Sequence, residues 1–428
     1  MSYNKNISVY FAGALLLLEV TECFYALTQW IGFFESGNPR YGFTGSFYNP
    51  GPFACYIALG VPVAVRMMVK VDNRLQRWLG MGIVALSAIL LPATMSRTAI
   101  AACIVGCLIS VCDELRESIT KKRIILCAST FIVGAGMIYF VKRDSADGRL
   151  LMWKVATIAA KEIPTTGVGW EQVAGAFGNA QEAYFANGHG SEQERTVADA
   201  PQYVFNEYLQ VAIAFGPLAS IGMIAVLVGG IIVALHSHNY AIGGSAVAVS
   251  IVMFASYPLQ FPLFTVTIAL IVCSAWLTSE CGTLGWSMVC VIAVLCVLFL
   301  THSDTVDVQP ESAVAHSLHK SKEYRRSNDY LLKLLPYTSD PMPLNILGKN
   351  YRAMGMPDSA EHYLRRSTYR CPNRLYPHYL LMQLYGDSTY LHLELQRREA
   401  RHILTSLEKI PSRAIEEMRD EAKKVFQL

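Results

Sequence analysis

Two arginines and a set of loop carboxylates are the residues in this chain whose types could do chemistry. Arg97 stands in Met95-Ser96-Arg97-Thr98 between two apolar runs. An arginine at membrane depth is costly unless it meets an anion or a water-filled cavity, which makes Arg97 a candidate for anion binding. The competing reading is a side chain that snorkels to the interface. Arg149 lies in Asp147-Gly148-Arg149-Leu150-Leu151-Met152-Trp153, ahead of an amphipathic stretch of Leu150, Trp153, Val155 and Ala156. Its planar fork suits phosphate oxygens, although a solvated arginine at a helix start reads the same way in sequence. Further on come Glu182, His189, Glu192, Glu194, Arg195, Asp199, Asn206 and Glu207, mixed with Tyr184, Phe185, Tyr203 and Tyr208. Carboxylates accept from sugar hydroxyls, one of them can act as a general base, and aromatic faces stack on pyranose rings. Arg195, Asn206, Trp153, Tyr208 and His189 are the matching candidates for substrate binding. Any polar loop carries residues of these types, and His189, between Gly188 and Gly190, also reads as a solvated histidine.

Other chemistries are disfavoured. His236 and His238 are two residues apart, and His316 and His319 have no acidic or thiol companions, so no metal-ligand spacing stands out. No glycine loop of the nucleotide-cradling type is present. No metal or other cofactor is therefore expected, and a donor substrate would have to carry its own activation. None of the eleven cysteines forms a CxxC pair and ten fall in or beside apolar runs, which reads as core packing. A formal charge of +3 without basic tracts argues against nucleic acid as a partner.

The elements that must position these residues are membrane helices. With 53% hydrophobic and 16% charged residues, the chain is too apolar for an ordinary soluble protein. Candidate spans run over Val9 to Thr28, Pro52 to Val69, Trp78 to Thr94, Thr98 to Val111, Ile124 to Val141, Val211 to Leu235, Ile242 to Tyr257, Leu259 to Thr278 and Leu284 to Leu300. That makes about nine helices. The first lacks a basic start and a small-residue cleavage site and is expected to be retained. Glu19 and Glu22 share one of its faces and read as a structural polar contact. Basic residues crowd two short connections, Arg66, Lys70, Arg74 and Arg77 in one and Arg116, Lys121, Lys122 and Arg123 in the other. Placing both in the cytoplasm puts the N-terminus inside, and the long polar stretch and the tail outside.

The expected class is all-α: a polytopic transmembrane helical bundle with a large external loop and a C-terminal helical domain. The division is 1–141 N-terminal transmembrane helices, 142–210 the loop, 211–301 C-terminal transmembrane helices and 302–428 the tail. Within the tail, Pro341 to Arg374 fits one tetratricopeptide unit through Leu344, Leu347, Gly348, Tyr351, Ala360, Leu364 and Pro372. A plain helical hairpin is the alternative. The flanks Ala313 to Leu335 and Tyr376 to Leu384 are expected to act as degenerate repeats or caps.

Phe47-Tyr48-Asn49-Pro50-Gly51-Pro52-Phe53-Ala54, Ser96-Arg97-Thr98, Gly148-Arg149 to Trp153, Pro164 to Gly169 and Asn206-Glu207-Tyr208-Leu209-Gln210 stand in an order that resembles the O-antigen ligase superfamily. That superfamily groups lipopolysaccharide O-antigen ligases, O-antigen polymerases and bacterial protein O-oligosaccharyltransferases. The tail resembles the tetratricopeptide version common in Bacteroidota. The resemblance implies an enzyme of the bacterial inner membrane that transfers a glycan from undecaprenyl diphosphate, at the periplasmic face, to lipid A core. A periplasmic protein or a growing polymer are the other acceptors it implies. Arg97 and Arg149 would hold the leaving diphosphate, and Glu207, Asp199 or another loop carboxylate would orient or deprotonate the acceptor. Two features depart from the pattern. Many members place a histidine just before the Asn of the last motif, where this chain has Gln202-Tyr203-Val204-Phe205, and members commonly have more spans. Expected partners are the lipid-linked glycan, the acceptor, membrane lipid and a protein engaged by the tail. From another class, a non-catalytic scaffold or a transporter remains open, although the spans after Gln210 carry almost no charge to line a polar path.

Overall fold

The computed structural model describes residues 2–114, 143–277, 282–301, 308–406 and 412–426, and every regular element among them is a helix. In chain order these are α1 (Ser2–Trp30), α2 (Pro50–Lys70), α3 (Arg74–Ala93) and α4 (Arg97–Ser110), then α5 (Arg143–Glu162), α6 (Val173–Ala186), α7 (Glu192–Val197) and α8 (Glu207–Phe215). There follow α9 (Pro217–His236), α10 (Tyr240–Ala255), α11 (Pro262–Leu277) and α12 (Gly282–Thr301). The tail holds α13 (Val308–Lys320), α14 (Tyr324–Leu334), α15 (Met342–Ala353), α16 (Pro357–Arg370), α17 (Leu375–Tyr385), α18 (Leu393–Thr405) and α19 (Arg413–Lys424).

Backbone polar groups cannot be left unpaired in lipid, so apolar runs of this length fold as helices. Tyr10–Trp30, α2, α3 and α9 are long and apolar enough to cross a membrane, and α4, α10, α11 and Gly282–Val297 are shorter apolar helices. The expected span over Ile124 to Val141 and the basic cluster Arg116 to Arg123 lie outside the described residues. One expectation changes: the single span over Val211 to Leu235 is two helices, α8 and α9. Gly216 adopts φ +88 between them and Pro217, which has no N–H to continue α8, opens α9.

By its contacts the chain divides into two units. The first takes in Met1–Val141, Phe205–Tyr208 and Leu218–Asp304. Its centre is α2, buried continuously from Pro52 to Ala64 and packed against α1, α3, α4 and α10. Ser245 and Ser110 donate to the α2 carbonyls of Leu59 and Pro62, at 2.6 and 2.5 Å, so the crossing helices bond where they meet. On α1, Glu22 takes the backbone N–H and hydroxyl of Ser46, and Gln29 takes the N–H groups of Thr44 and Gly45. These buried polar side chains thus hold the segment that leads into α2.

The second unit takes in Lys142–Val204, Leu209–Pro217 and Thr305–Leu428. Leu151, Val155, Ala156 and Ala159 form the buried face of α5 and pack with Phe177, Tyr184 and Phe185 of α6. Leu150, expected on that face, is instead 56% exposed, because the 3.6-residue period puts Leu151 in line with Val155. In the tail, α15 and α16 form a hairpin in which Leu344, Leu347, Ala360 and Leu364 are buried and the Tyr351 and Tyr363 rings stack at 5.3 Å. The stretch Ala313 to Leu335 is two helices, broken at Lys322, which has φ +63. Arg370, at the end of α16, is fully buried. It donates to Glu182 at 3.0 Å and to Asn179 at 2.5 Å on α6, and Arg366 reaches Glu182 at 2.6 Å. Gln181 in turn donates to the Arg370 carbonyl at 2.6 Å.

Candidate functional site

Three motif segments of the first unit begin helices in the same way. Tyr48, Met95 and Phe205 have φ of 59, 53 and 55, three of the five non-glycine residues with positive φ among those described. Each stands one or two residues ahead of a helix: α2, α4 and α8. Asn49 then caps α2, its Oδ1 accepting from Gly51 N–H at 2.9 Å, and Ser96 caps α4 by accepting from Ala99 N–H at 3.4 Å. Arg97 and Glu207 are the first residues of α4 and α8. A left-handed conformation costs a bulky L-residue about 1–2 kcal/mol. Such strain persists where the surrounding structure fixes it, and it clusters at functional sites.

All three segments meet one stretch, Ala255 to Phe264, which joins α10 to α11 through a 3₁₀ turn at Pro258–Gln260. Thr98, beside Arg97, donates to the Ala255 carbonyl at 3.4 Å. The Phe205 ring meets Tyr257 edge-on at 4.7 Å, and Phe47 packs edge-on against Phe261 and Phe264 at 5.3 and 5.8 Å. Glu207 accepts the Leu259 N–H at 2.8 Å through Oε1. Its side chain is completely buried and its Oε2 has no hydrogen-bond partner. Burial pushes the Glu207 carboxyl up to about 8, against the opposing pull of the Leu259 N–H. Asn206 is buried beside it. Tyr208 donates to the Ser250 carbonyl at 3.1 Å, and its own carbonyl accepts from Ser220 at 2.8 Å. The structure therefore places Arg97, Asn206, Glu207 and Tyr208 in one unit, with the helix starts of Arg97 and Glu207 bonded to Ala255 and Leu259 of the same connecting stretch.

The remaining candidates belong to the second unit. Arg149 and Trp153 are half-buried on α5. His189 is exposed and stacks on Tyr184 at 5.9 Å, while Arg195 lies over the Phe185 ring at 5.2 Å, so those two gather on adjacent aromatics of α6. Asp199 is exposed and pairs with Arg374 at 3.5 Å. Glu194 closes a capping box with Ser191 and takes Lys154 at 2.8 Å and the Tyr184 hydroxyl at 3.0 Å. Those partners hold its carboxyl down at about 2, against the effect of its burial. Glu182 is occupied by Arg366 and Arg370. The motif Pro164 to Gly169 is fastened to the end of α8: Val168 and Gly169 donate to the carbonyls of Ile213 and Ala214 at 3.1 and 2.9 Å. Among the described residues no group of three His, Cys, Asp or Glu side chains is placed to hold a metal. A cleft of about 290 Å³ in this unit, lined by Ile163, Val168, Gln172 and Pro336 among others, contains none of the candidate residues.

Sequence reasoning passed over the turn itself. Only Pro258 separates the expected spans Ile242 to Tyr257 and Leu259 to Thr278, whereas the chain turns over Pro258–Gln260 and the second helix starts at Pro262. The available signal was Gln260 set between Pro258 and Pro262 among aromatics, a polar side chain in a rigid turn at the end of two spans.

Comparison with known proteins adds one match. Neither curated proteins nor solved structures give a match. Residues 82–224, which include Arg97, Arg149, Asp199 and Glu207, match the model of the O-antigen ligase family. That segment, a part of the chain shorter than half, is what the chain shares with the O-antigen ligase family.

Proposed function

We propose that this chain transfers a glycan from undecaprenyl diphosphate to a hydroxyl of lipid A core at the periplasmic face of the bacterial inner membrane. The observation that carries this reading is Glu207, fully buried with one unsatisfied carboxylate oxygen and bonded to the stretch that the Phe47, Thr98 and Phe205 segments meet. In this reaction the acceptor oxygen forms a bond to the anomeric carbon. The bond from that carbon to the diphosphate oxygen breaks, and its electron pair leaves with the diphosphate. The hydroxyl proton passes to Glu207 Oε2. A carboxylate that titrates near 8 is a stronger base than an ordinary one and is matched to this task. Arg97, as the first residue of a helix, adds a guanidinium to the positive end of the helix dipole, a setting suited to the diphosphate. By the resemblance Arg149 is assigned a phosphate-binding role; Asn206, Trp153, Tyr208, His189 and Arg195 are assigned to glycan binding. Asp199, exposed and paired with Arg374, serves to hold the loop rather than to move a proton. Residues 302–428 read as a tetratricopeptide-like periplasmic domain.

The test is transfer by the purified chain from an undecaprenyl diphosphate glycan, with lipid A core and a periplasmic protein offered separately. Transfer to lipid A core that is lost on Arg97→Ala and Arg149→Lys supports the reading. Transfer to the protein alone reassigns the acceptor. No turnover of the donor with either acceptor contradicts enzymatic function and favours a scaffold.

A further inference from the structure

The turn that receives Glu207 carries a second buried polar atom with nothing to bind. Gln260 closes the Pro258–Gln260 turn, and its Nε2 is buried without an acceptor. Glu207 Oε2 is buried without a donor, while Oε1 of the same carboxylate is tied to Leu259, the residue next to Gln260. The turn is held from several sides. Phe261 N–H donates to the Pro258 carbonyl at 3.1 Å, Thr265 donates to the Leu259 carbonyl at 3.3 Å, and prolines stand at 258 and 262. Neither orphan can therefore reach a partner by a simple shift of the backbone. Buried polar atoms are nearly always paired, and an exception at a convergence of strained motif segments points to a ligand.

The chemistry of the two orphans selects what that ligand is. A side-chain amide nitrogen only donates, and an ionised carboxylate only accepts. In the ionised form that proton removal requires, Glu207 would repel a phosphate oxygen, which would serve Gln260 alone. An ammonium or metal ion would serve Glu207 and leave Gln260 unpaired. A hydroxyl group both donates and accepts through one oxygen. We propose that Gln260 and Glu207 form the acceptor-hydroxyl subsite, in which the hydroxyl donates to Glu207 Oε2 and accepts from Gln260 Nε2. This rests on the reading of the chain as a glycan transferase and adds to it a residue that binds the acceptor. As the proton leaves for Glu207, the Gln260 N–H stays on the acceptor oxygen and keeps its remaining lone pair directed at the anomeric carbon.

The test uses the full chain in lipid nanodiscs, with undecaprenyl diphosphate glycan as donor and purified lipid A core as acceptor. Gln260→Leu and Gln260→Met remove the donor at similar volume. Thermal unfolding, the acceptor KM and the donor KM are measured for each. The expected result is an unfolding midpoint unchanged or raised, since an unpaired buried donor has been removed, with the acceptor KM raised roughly 3- to 10-fold and the donor KM unchanged. A structural role for Gln260 would instead lower the midpoint and degrade both KM values together, which overturns the proposal, as does failure of both variants to fold. An unchanged acceptor KM in variants that still transfer overturns the Gln260 assignment and leaves the transferase reading standing. A wild-type chain that transfers to no acceptor overturns both.

Discussion

A carboxylate with no exposure and one oxygen unpaired is destabilising where it stands, so the Glu207 side chain makes two predictions of its own. Its carboxyl titrates near 8 in the folded chain against an ordinary 4.5. Between those values the folded form holds a proton that the unfolded form has released. Stability therefore falls as pH rises through that window. Glu207→Gln removes the slope, so thermal midpoints of the two proteins are expected to diverge in favour of the variant from pH 5 to 8; parallel midpoints would contradict it. The transfer reaction needs the ionised form, so kcat is expected to rise as pH passes about 8, and a rate already at its plateau at pH 6 would rule out this base. Arg149→Lys keeps charge and loses the fork, with an expected loss of roughly 10- to 100-fold in transfer, measured at saturating donor. Arg97 and Glu207 stand out in sequence as charged types beside apolar runs. Gln260 does not, since one glutamine at the start of the expected span Leu259 to Thr278 gives no pattern and its orphaned amide exists only once the turn is folded.

At the level of elements, the motif segments act by starting and stopping helices. Gly216 ends α8 at φ +88, and a Cβ there would collide with the Thr165 carbonyl oxygen in the Pro164 to Gly169 motif. Gly216→Ala is expected to destabilise by more than about 2 kcal/mol through strain and collision together. Gly188→Ala is the control: φ is +75 but nothing lies within 4 Å, leaving about 1 kcal/mol of backbone strain. Equal losses in chemical denaturation would refute the contact. Helix existence was legible from hydropathy, and the break at Gly216-Pro217 carried a turn signal inside the apolar run Val211 to Leu235. The left-handed residues were not legible, because tyrosine, methionine and phenylalanine do not favour φ > 0 and nothing in their types marks these positions.

Across the whole molecule, the polar loop and the tail are held in a single unit by Arg370 and its partners on α6. A tail free to move as an independent module is at odds with a fully buried arginine at this contact. Arg370→Ala leaves Glu182 without one of its two cations and is expected to destabilise by about 3–5 kcal/mol, read as protease sensitivity between Glu171 and Thr196. A chain ending at Thr301 should be cut in the same stretch. The α15–α16 hairpin was legible from the spacing of Leu344, Leu347, Ala360 and Leu364, whereas no periodicity links Glu182 to arginines nearly two hundred residues on.

The central claim is that Glu207 removes the acceptor proton, and single-turnover transfer from an undecaprenyl diphosphate glycan to lipid A core tests it most directly, comparing the wild-type chain with Glu207→Gln. The account predicts unchanged donor binding and a transfer rate reduced at least about 100-fold in the variant. A Glu207→Gln chain that transfers at the wild-type rate would contradict it.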